Sequence, residues 1–278
     1  MRIITDPGEM QASARQARAD GQRIGFVPTM GFLHRGHTSL MEQARPRCDA
    51  LVVSIYVNPL QFAPHEDLGR YPRDPEGDLA KCEAAGVDIV FMPEALYAPN
   101  HSTRVRVGGV SEQLESASRP HFFEGVATVV ARLFGLVKPH VTVFGEKDYQ
   151  QLRVIQQLVE DLAMDITVLG GPLVRDEDGV ALSSRNAYLS PEERVRARSL
   201  SRALYAMAEA SRRGQREVAA LVQIGRALLE ADSLDYLEVR DGVSLRPLVT
   251  LPPPGGTPPR ALVAAVVGRT RLIDNMGL

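Results

Sequence analysis

Residues 23–37 read RIGFVPTMGFLHRGH. The run 23–27 is short and β-like and ends at Pro28. A Gly/His loop follows, and residues 37–45 carry a helical pattern. Working outward, ALVVSIYV at 50–57 is β-branched and nearly continuous, as expected of a strand buried on both faces. Residues 75–85 read as a helix stopped by Gly86, and 87–92 as another strand run. The small, apolar stretch 125–137 suits a buried helix ending before Pro139. Residues 141–144 read as a strand and 148–162 as a helix with Leu152, Ile155, Leu158, Val159 and Leu162 on one face. Residues 166–169 read as a further strand. This alternation predicts an α/β domain, a parallel sheet with helices on both faces.

After Val174 the texture changes. Residues 175–190 are polar and loop-like, with a flexible run at 175–179. Ser190-Pro191-Glu192-Glu193 has the form of an N-cap, a first-position proline and first-turn acids. A long helical region runs to about Arg213, a second helix covers 217–229, and 235–239 and 261–267 read as strands. These form a smaller α+β C-terminal domain. The expected division is 1–173 and 174–278.

The 278 residues suffice for a sizeable core. Hydrophobic residues are 44%, charged residues 24% and formal net charge −2. That balance gives no reason to expect a nucleic-acid or membrane partner. The N-terminal MRIITDPGEM has no apolar signal core and no stretch is long enough to span a bilayer, so the cytoplasm is the expected location. Cys48 and Cys82 lie outside any CxxC or metal-ligand pattern and read as packing thiols.

Four segments carry chemistry. In an open α/β sheet, ligands bind outside the carboxyl ends of strands. The loop after 23–27 lies there and opens a helix, whose free N–H groups and positive dipole end suit phosphate. Gly31 and Gly36 allow close approach. His34 and His37, three apart, can face one ligand and donate to charge growing on phosphate. Second, Gly145-Glu146-Lys147-Asp148 follows a strand. Lys147 can reach phosphate oxygens, and Asp148 suits either a ribose hydroxyl or a helix cap. Third, Leu182-Ser183-Ser184-Arg185 offers two hydroxyls and a guanidinium on a mobile loop whose closure can exclude water. Taken alone it reads more readily as a solvated turn. Fourth, Gln61, in the segment 57–62 at the end of the second strand, offers donors and acceptors to a small polar acid, and Gln151 could join it. There is no GxxxxGK[ST] loop, GxGxxG loop or GxSxG elbow. No protein metal cluster is expected, so any Mg²⁺ accompanies ATP phosphates.

HxGH between strand and helix resembles the signature of the nucleotidylyltransferase and class I synthetase superfamily. Together, PTMGFLHRGHTSL, VVSIYVNPLQF, RYPRDPEGD, VTVFGEKDYQQL, VRDEDGVALSSRNAYLS and GRTRLIDN resemble the pantothenate synthetase family across nearly the whole chain. The resemblance implies a Rossmann-like domain with a small C-terminal domain carrying the Ser-Ser-Arg loop, usually as a homodimer. It implies ATP contacts from Met30, Gly31, Phe32, Leu33, His34, Arg35, Gly36 and His37, with His37 as catalytic acid and His34 on the phosphates. It further implies ATP contacts from Gly145, Glu146, Lys147, Asp148, the main chain of Val174, and Leu182, Ser183, Ser184 and Arg185. His34, His37, Lys147, Ser183, Ser184 and Arg185 would form the catalytic set. Gln61 and Gln151 would hold pantoate, and Gln61 also β-alanine. One departure stands out: the family usually reads RPGHFxGV where this chain has Arg119-Pro120-His121-Phe122-Phe123-Glu124-Gly125-Val126.

The implied reaction joins pantoate to β-alanine through an adenylate, releasing pyrophosphate and AMP. Two other readings remain open from the residues: a different HxGH adenylyltransferase acting on a phosphorylated small molecule, and a nucleotide-binding regulator without catalysis.

Overall fold

A computed structural model describes residues 1–63 and 68–278. The chain divides into two compact units, Met1–Glu146 with Val154–Pro172, and Lys147–Arg153 with Leu173–Leu278. Against the expected division, 1–173 and 174–278, both Lys147–Arg153 and Leu173 group with the C-terminal unit.

The first unit contains strands β1 (Arg2–Ile4), β2 (Ile24–Thr29), β3 (Ala50–Ile55), β4 (Ile89–Phe91), β5 (Val141–Gly145) and β6 (Thr167–Gly171). They form one parallel sheet in the order β1-β4-β3-β2-β5-β6. Between them run helices α1 (Pro7–Ala19), α2 (Arg35–Ala44), α3 (Pro75–Ala84), α4 (Glu115–Ser118), α5 (Phe122–Val137) and α6 (Tyr149–Asp161), the last of which belongs to this unit only from Val154 on. Central strands lose water on both faces, which is why they read as unbroken apolar runs. On one face Val27, Leu51, Val53, Val90 and Val143 pack with Leu40, Met41 and Ala44 of α2 and Cys82 of α3. On the other, Phe26 meets Phe134 of α5 edge-on, with ring centroids 6.4 Å apart.

Chain order reverses at β2, which has β3 on one side and β5 on the other. β2 pairs with β3 as far as Thr29↔Ile55, but with β5 only at Gly25↔Val141 and Phe26↔Thr142. Beyond that point β2 and β5 part at their carboxyl ends, the place where open α/β sheets form a ligand crevice.

The second unit holds α7 (Pro191–Arg212), α8 (Val218–Arg226) and an antiparallel sheet of β7 (Ser233–Arg240), β8 (Arg260–Val267) and β9 (Thr270–Gly277), in the order β7-β8-β9. Ser190 and Glu193 close a reciprocal capping box at the start of α7, as the sequence indicated. Leu204, Met207, Leu221, Val263, Ala265 and Val267 form its core.

Four elements went unread in the sequence: β1, α1, the single turn α4 and β9. The N-terminal pair is short or weakly amphipathic, and α1 is announced mainly by the Asp6 cap, which accepts from Glu9 N at 2.7 Å. β9 hides because Asp274 and Asn275, in the middle of the strand, are buried polar residues.

Candidate active site

The loop between β2 and α2 is held from several sides. Thr29 Oγ1 donates to Ser54 O at 2.8 Å and accepts from Gly31 N at 3.4 Å. The Asp78 carboxylate, on α3, accepts from Phe32 N at 2.8 Å and Leu33 N at 2.6 Å. His34 is the N-cap of α2, its Nδ1 accepting from Gly36 N at 3.1 Å. His37 Nδ1 accepts from His34 N at 3.2 Å, and His37 N donates to His34 O at 2.7 Å. The expectation of free N–H groups at this helix start is therefore corrected. The N–H groups of residues 31, 32, 33, 34, 36 and 37 all have partners within the protein.

What the loop offers instead is imidazole. The two rings lie 4.1 Å apart between centroids. A nitrogen that accepts from a backbone N–H carries no hydrogen, so each neutral ring keeps its hydrogen on Nε2. The caps thus select the tautomer that makes Nε2 a donor.

Gln61 follows β3 in a 3-10 turn, Pro59–Gln61. Its amide is oriented by Asn58, which is 1% exposed. Asn58 Nδ2 donates to Gln61 Oε1 at 3.0 Å and to Gly125 O at 3.1 Å, while its Oδ1 accepts from Tyr97 OH at 2.9 Å and Leu60 N at 3.3 Å. Gln61 Nε2 rests against Met30 Sδ at 3.0 Å. Gly125 permits this contact, since a Cβ there would strike the Leu60 carbonyl. Asn58 was missed in the sequence although it adjoins Gln61; an Asn before a Pro reads first as a turn residue.

In the second unit, Lys147 lies within a short turn, Glu146–Asp148, with Nζ 3.7 Å from Asp148 Oδ2. Asn275 Nδ2 donates to the Lys147 carbonyl at 2.8 Å, and Asn275 Oδ1 accepts from Arg260 Nε at 2.7 Å. Arg260 lies over the Tyr149 ring, 4.0 Å from its centroid. Gln151 is half-buried on α6.

The run expected to be flexible is a pinned hairpin. Arg175 and Ala181 bridge antiparallel, Asp176 N donates to Val180 O at 2.9 Å, and Leu182 N donates to Val174 O at 3.0 Å. Arg175 grips Asp274 with both guanidinium arms, at 2.6 and 2.9 Å. Burial pushes the Asp274 carboxyl upward, against the pull of that guanidinium. Arg194 of α7 holds Asp176 at 2.6 Å and Asp178 at 2.7 Å. The hydrogen bond from Arg194 draws the Asp178 carboxyl down to about 2. Ser183 follows, capping the turn Ser184–Tyr188 through a bond from Arg185 N at 3.3 Å. Ionic side chains that look solvated in sequence here pair with one another.

The described residues contain no cluster of three or more His, Cys, Asp or Glu able to hold a metal, and no helix long and apolar enough to cross a membrane. Cys48 and Cys82 are free thiols. Burial raises both, Cys82 to about 11, which favours the unreactive protonated form.

A family model described as pantoate-beta-alanine ligase matches residues 2–277. This chain belongs to the pantoate-beta-alanine ligase family. It is 54% identical over 284 residues to the pantothenate synthetase of Anaeromyxobacter dehalogenans, covering 98% of this chain and 97% of that protein. The crystal structure of pantothenate synthetase from Thermus thermophilus superposes with a TM-score of 0.93 at 46% identity, covering 100% and 99% of the two chains. That of the ligase from Francisella tularensis, solved with beta-gamma ATP and beta-alanine, gives 0.80 at 31% identity, covering 100% and 97%. The protein is thus a ligase of pantoate and beta-alanine.

Within this ligase the expected site residues fall into two groups. Met30–His37, Gln61, Gly145 and Glu146 belong to the first unit; Lys147, Asp148, Gln151, Val174 and Leu182–Arg185 belong to the second. The departure at 121–122 has a local account. Phe122 stands at the start of α5 with the Arg119 guanidinium 3.8 Å from its ring centroid, and Arg119 Nη2 donates to Gln61 O at 3.1 Å. An aromatic face suits that cation, and its partner borders the Gln61 turn.

Proposed function

We propose that this ligase condenses (R)-pantoate with β-alanine through a pantoyl adenylate. A pantoate carboxylate oxygen attacks the α-phosphorus of ATP, and the bond to the β-phosphate breaks as pyrophosphate leaves. The β-alanine amine then attacks the activated carbonyl carbon, the C–N bond forms, AMP departs, and the amine loses a proton to solvent. ATP enters with Mg²⁺ on its phosphates, as substrate.

The observation that carries this reading is the pair of capped imidazoles, both donors at Nε2, at the carboxyl end of β2. A carboxylate nucleophile needs no base, so the work of the first step is positioning and stabilising charge on phosphate. His34 and His37 serve the phosphates, with His37 as the acid. Lys147, Ser183, Ser184 and Arg185 add donors and charge as pyrophosphate leaves. Met30–His37, Gly145–Asp148, Val174 and Leu182 line the nucleotide. Gln61, set by Asn58, takes pantoate together with Gln151 and also meets β-alanine. The Francisella relative's beta-gamma ATP and beta-alanine support this choice of ligands. A homodimer in the cytoplasm completes the reading, and light scattering would measure the assembly.

Pyrophosphate and AMP release from MgATP would be followed with pantoate, with and without β-alanine. Pyrophosphate release dependent on pantoate, with AMP turnover only when β-alanine is present, is expected. Folded protein that releases no pyrophosphate with pantoate would refute the reading.

A further inference from the structure

The segment RYPRDPEGD has no part in the chemistry assigned above, yet its last residue reaches the centre of the site. Asp78 sits in the first turns of α3, where an acidic side chain is usually a solvated partner of the helix dipole. This one is 1% exposed. Among the described residues no cation pairs with it; the adjacent Lys81 faces Asp74, at 3.7 Å. A buried carboxylate without a cation is costly unless hydrogen-bonded, and its partners are the consecutive N–H groups of Phe32 and Leu33, at 2.8 and 2.6 Å.

We propose that Asp78 is a positioning residue for the reaction: by gathering the Phe32 and Leu33 N–H groups onto one buried carboxylate, it sets the loop from which His34 and His37 reach the phosphates. This rests on the reading that those imidazoles act on ATP. The loop follows a path that needs holding. Gly31 has φ +87 and Phe32 has φ 52, the latter in a region that side chains other than glycine adopt rarely. Directly after the two bonds to Asp78 comes His34, whose own N–H meets His37 and whose ring caps α2. Releasing Phe32 and Leu33 frees the strained turn to relax, and the N–H that fixes the His37 tautomer moves with it. The carboxylate also has a second effect. By occupying backbone donors of the loop and placing negative charge beneath it, Asp78 leaves phosphate recognition there to the imidazole Nε2 hydrogens.

Asp78→Asn tests this with little change of shape. One of the two N–H groups then meets an amide NH₂ instead of an oxygen. Two readouts are taken on protein shown to be folded by circular dichroism: the single-turnover rate of pantoate-dependent pyrophosphate release, and the His34 and His37 tautomers by long-range ¹H–¹⁵N correlation. A rate fall of about 10²-fold is expected, as for an ångström-scale misplacement of catalytic groups, together with loss of the pure Nε2–H form. An unchanged rate or unchanged tautomers in the folded variant would overturn the proposal. The tautomer arm needs no substrate, so it tests Asp78 even if wild-type protein released no pyrophosphate. If Asp78→Asn does not fold, Gly31→Ala probes the same contact from the loop, because its Cβ would lie 3.0 Å from Asp78 Oδ2 and 3.1 Å from Ile55 Cγ2. The same losses are expected there, and wild-type rate with intact tautomers would again overturn the proposal.

Discussion

The two segments read as phosphate-binding are held by different physics. The loop 30–37 is fixed by backbone N–H groups pointing into side-chain acceptors, one of them a buried carboxylate. The hairpin before Ser183 is fixed by ion pairs between side chains, Arg175 with Asp274 and Arg194 with Asp176 and Asp178. The first arrangement fixes atoms closely but uses up the main-chain donors. The second leaves most of its charged groups near solvent and makes the hairpin responsive to pH and salt. Neither segment resembles a glycine-rich phosphate loop, where the backbone itself cradles the anion.

The contrast can be broken at several levels. Ligand-facing groups come first: His37→Ala is expected to lower turnover by about 10²–10³ while the fold survives, whereas near-normal turnover would show that the imidazole pair is not the phosphate donor. Next comes the buried ion pair. Asp274→Ala strands the Arg175 charge and is expected to cost about 3 kcal/mol in urea unfolding; a loss below about 1 kcal/mol would mean that water already reaches that guanidinium.

Acid should separate the two segments further. Asp178 is depressed from 3.8 to about 2. Its contribution is therefore complete above pH 3.8 and is lost as pH falls toward 2, on the order of 1 kcal/mol after solvent screening. Asp178→Asn should flatten the stability curve in that window. If the variant and wild type lose stability in parallel there, the carboxylate is not the group being titrated. The smallest of these effects is salt. Raising ionic strength to about 1 M should weaken the pairs of Arg194 by a few tenths of a kcal/mol, reducing the stability difference between wild type and Arg194→Ala.

Legibility in the sequence followed the same divide. Strand, loop and helix around residue 30 could be read because apolar runs and glycines are local signals, and the parallel sheet followed from their alternation. Gln61 stood out through its place at a strand end. Asp78 did not, because its partners lie 46 and 45 residues away in the chain and its helix position already explains an acid. Residues 175–179 read as flexible because charge suggests solvent, yet the neutralising arginine lies in α7 and the neutralising aspartate in β9. β9 itself escaped because its centre buries Asp274 and Asn275, the residues that tie the hairpin and the Lys147 carbonyl in place.

The sulfur beside Gln61 has a thermodynamic consequence of its own. The amide N–H is lodged on Met30 Sδ, a weak acceptor. A ligand oxygen arriving there exchanges a poor partner for a good one, so the resting contact holds the amide in place without competing for it. Replacing Met30 with leucine would remove the lodging and leave the exchange lopsided in the ligand's favour, with affinity unchanged or slightly raised in calorimetry; a marked loss would mean that the thioether orders the amide as much as it occupies it.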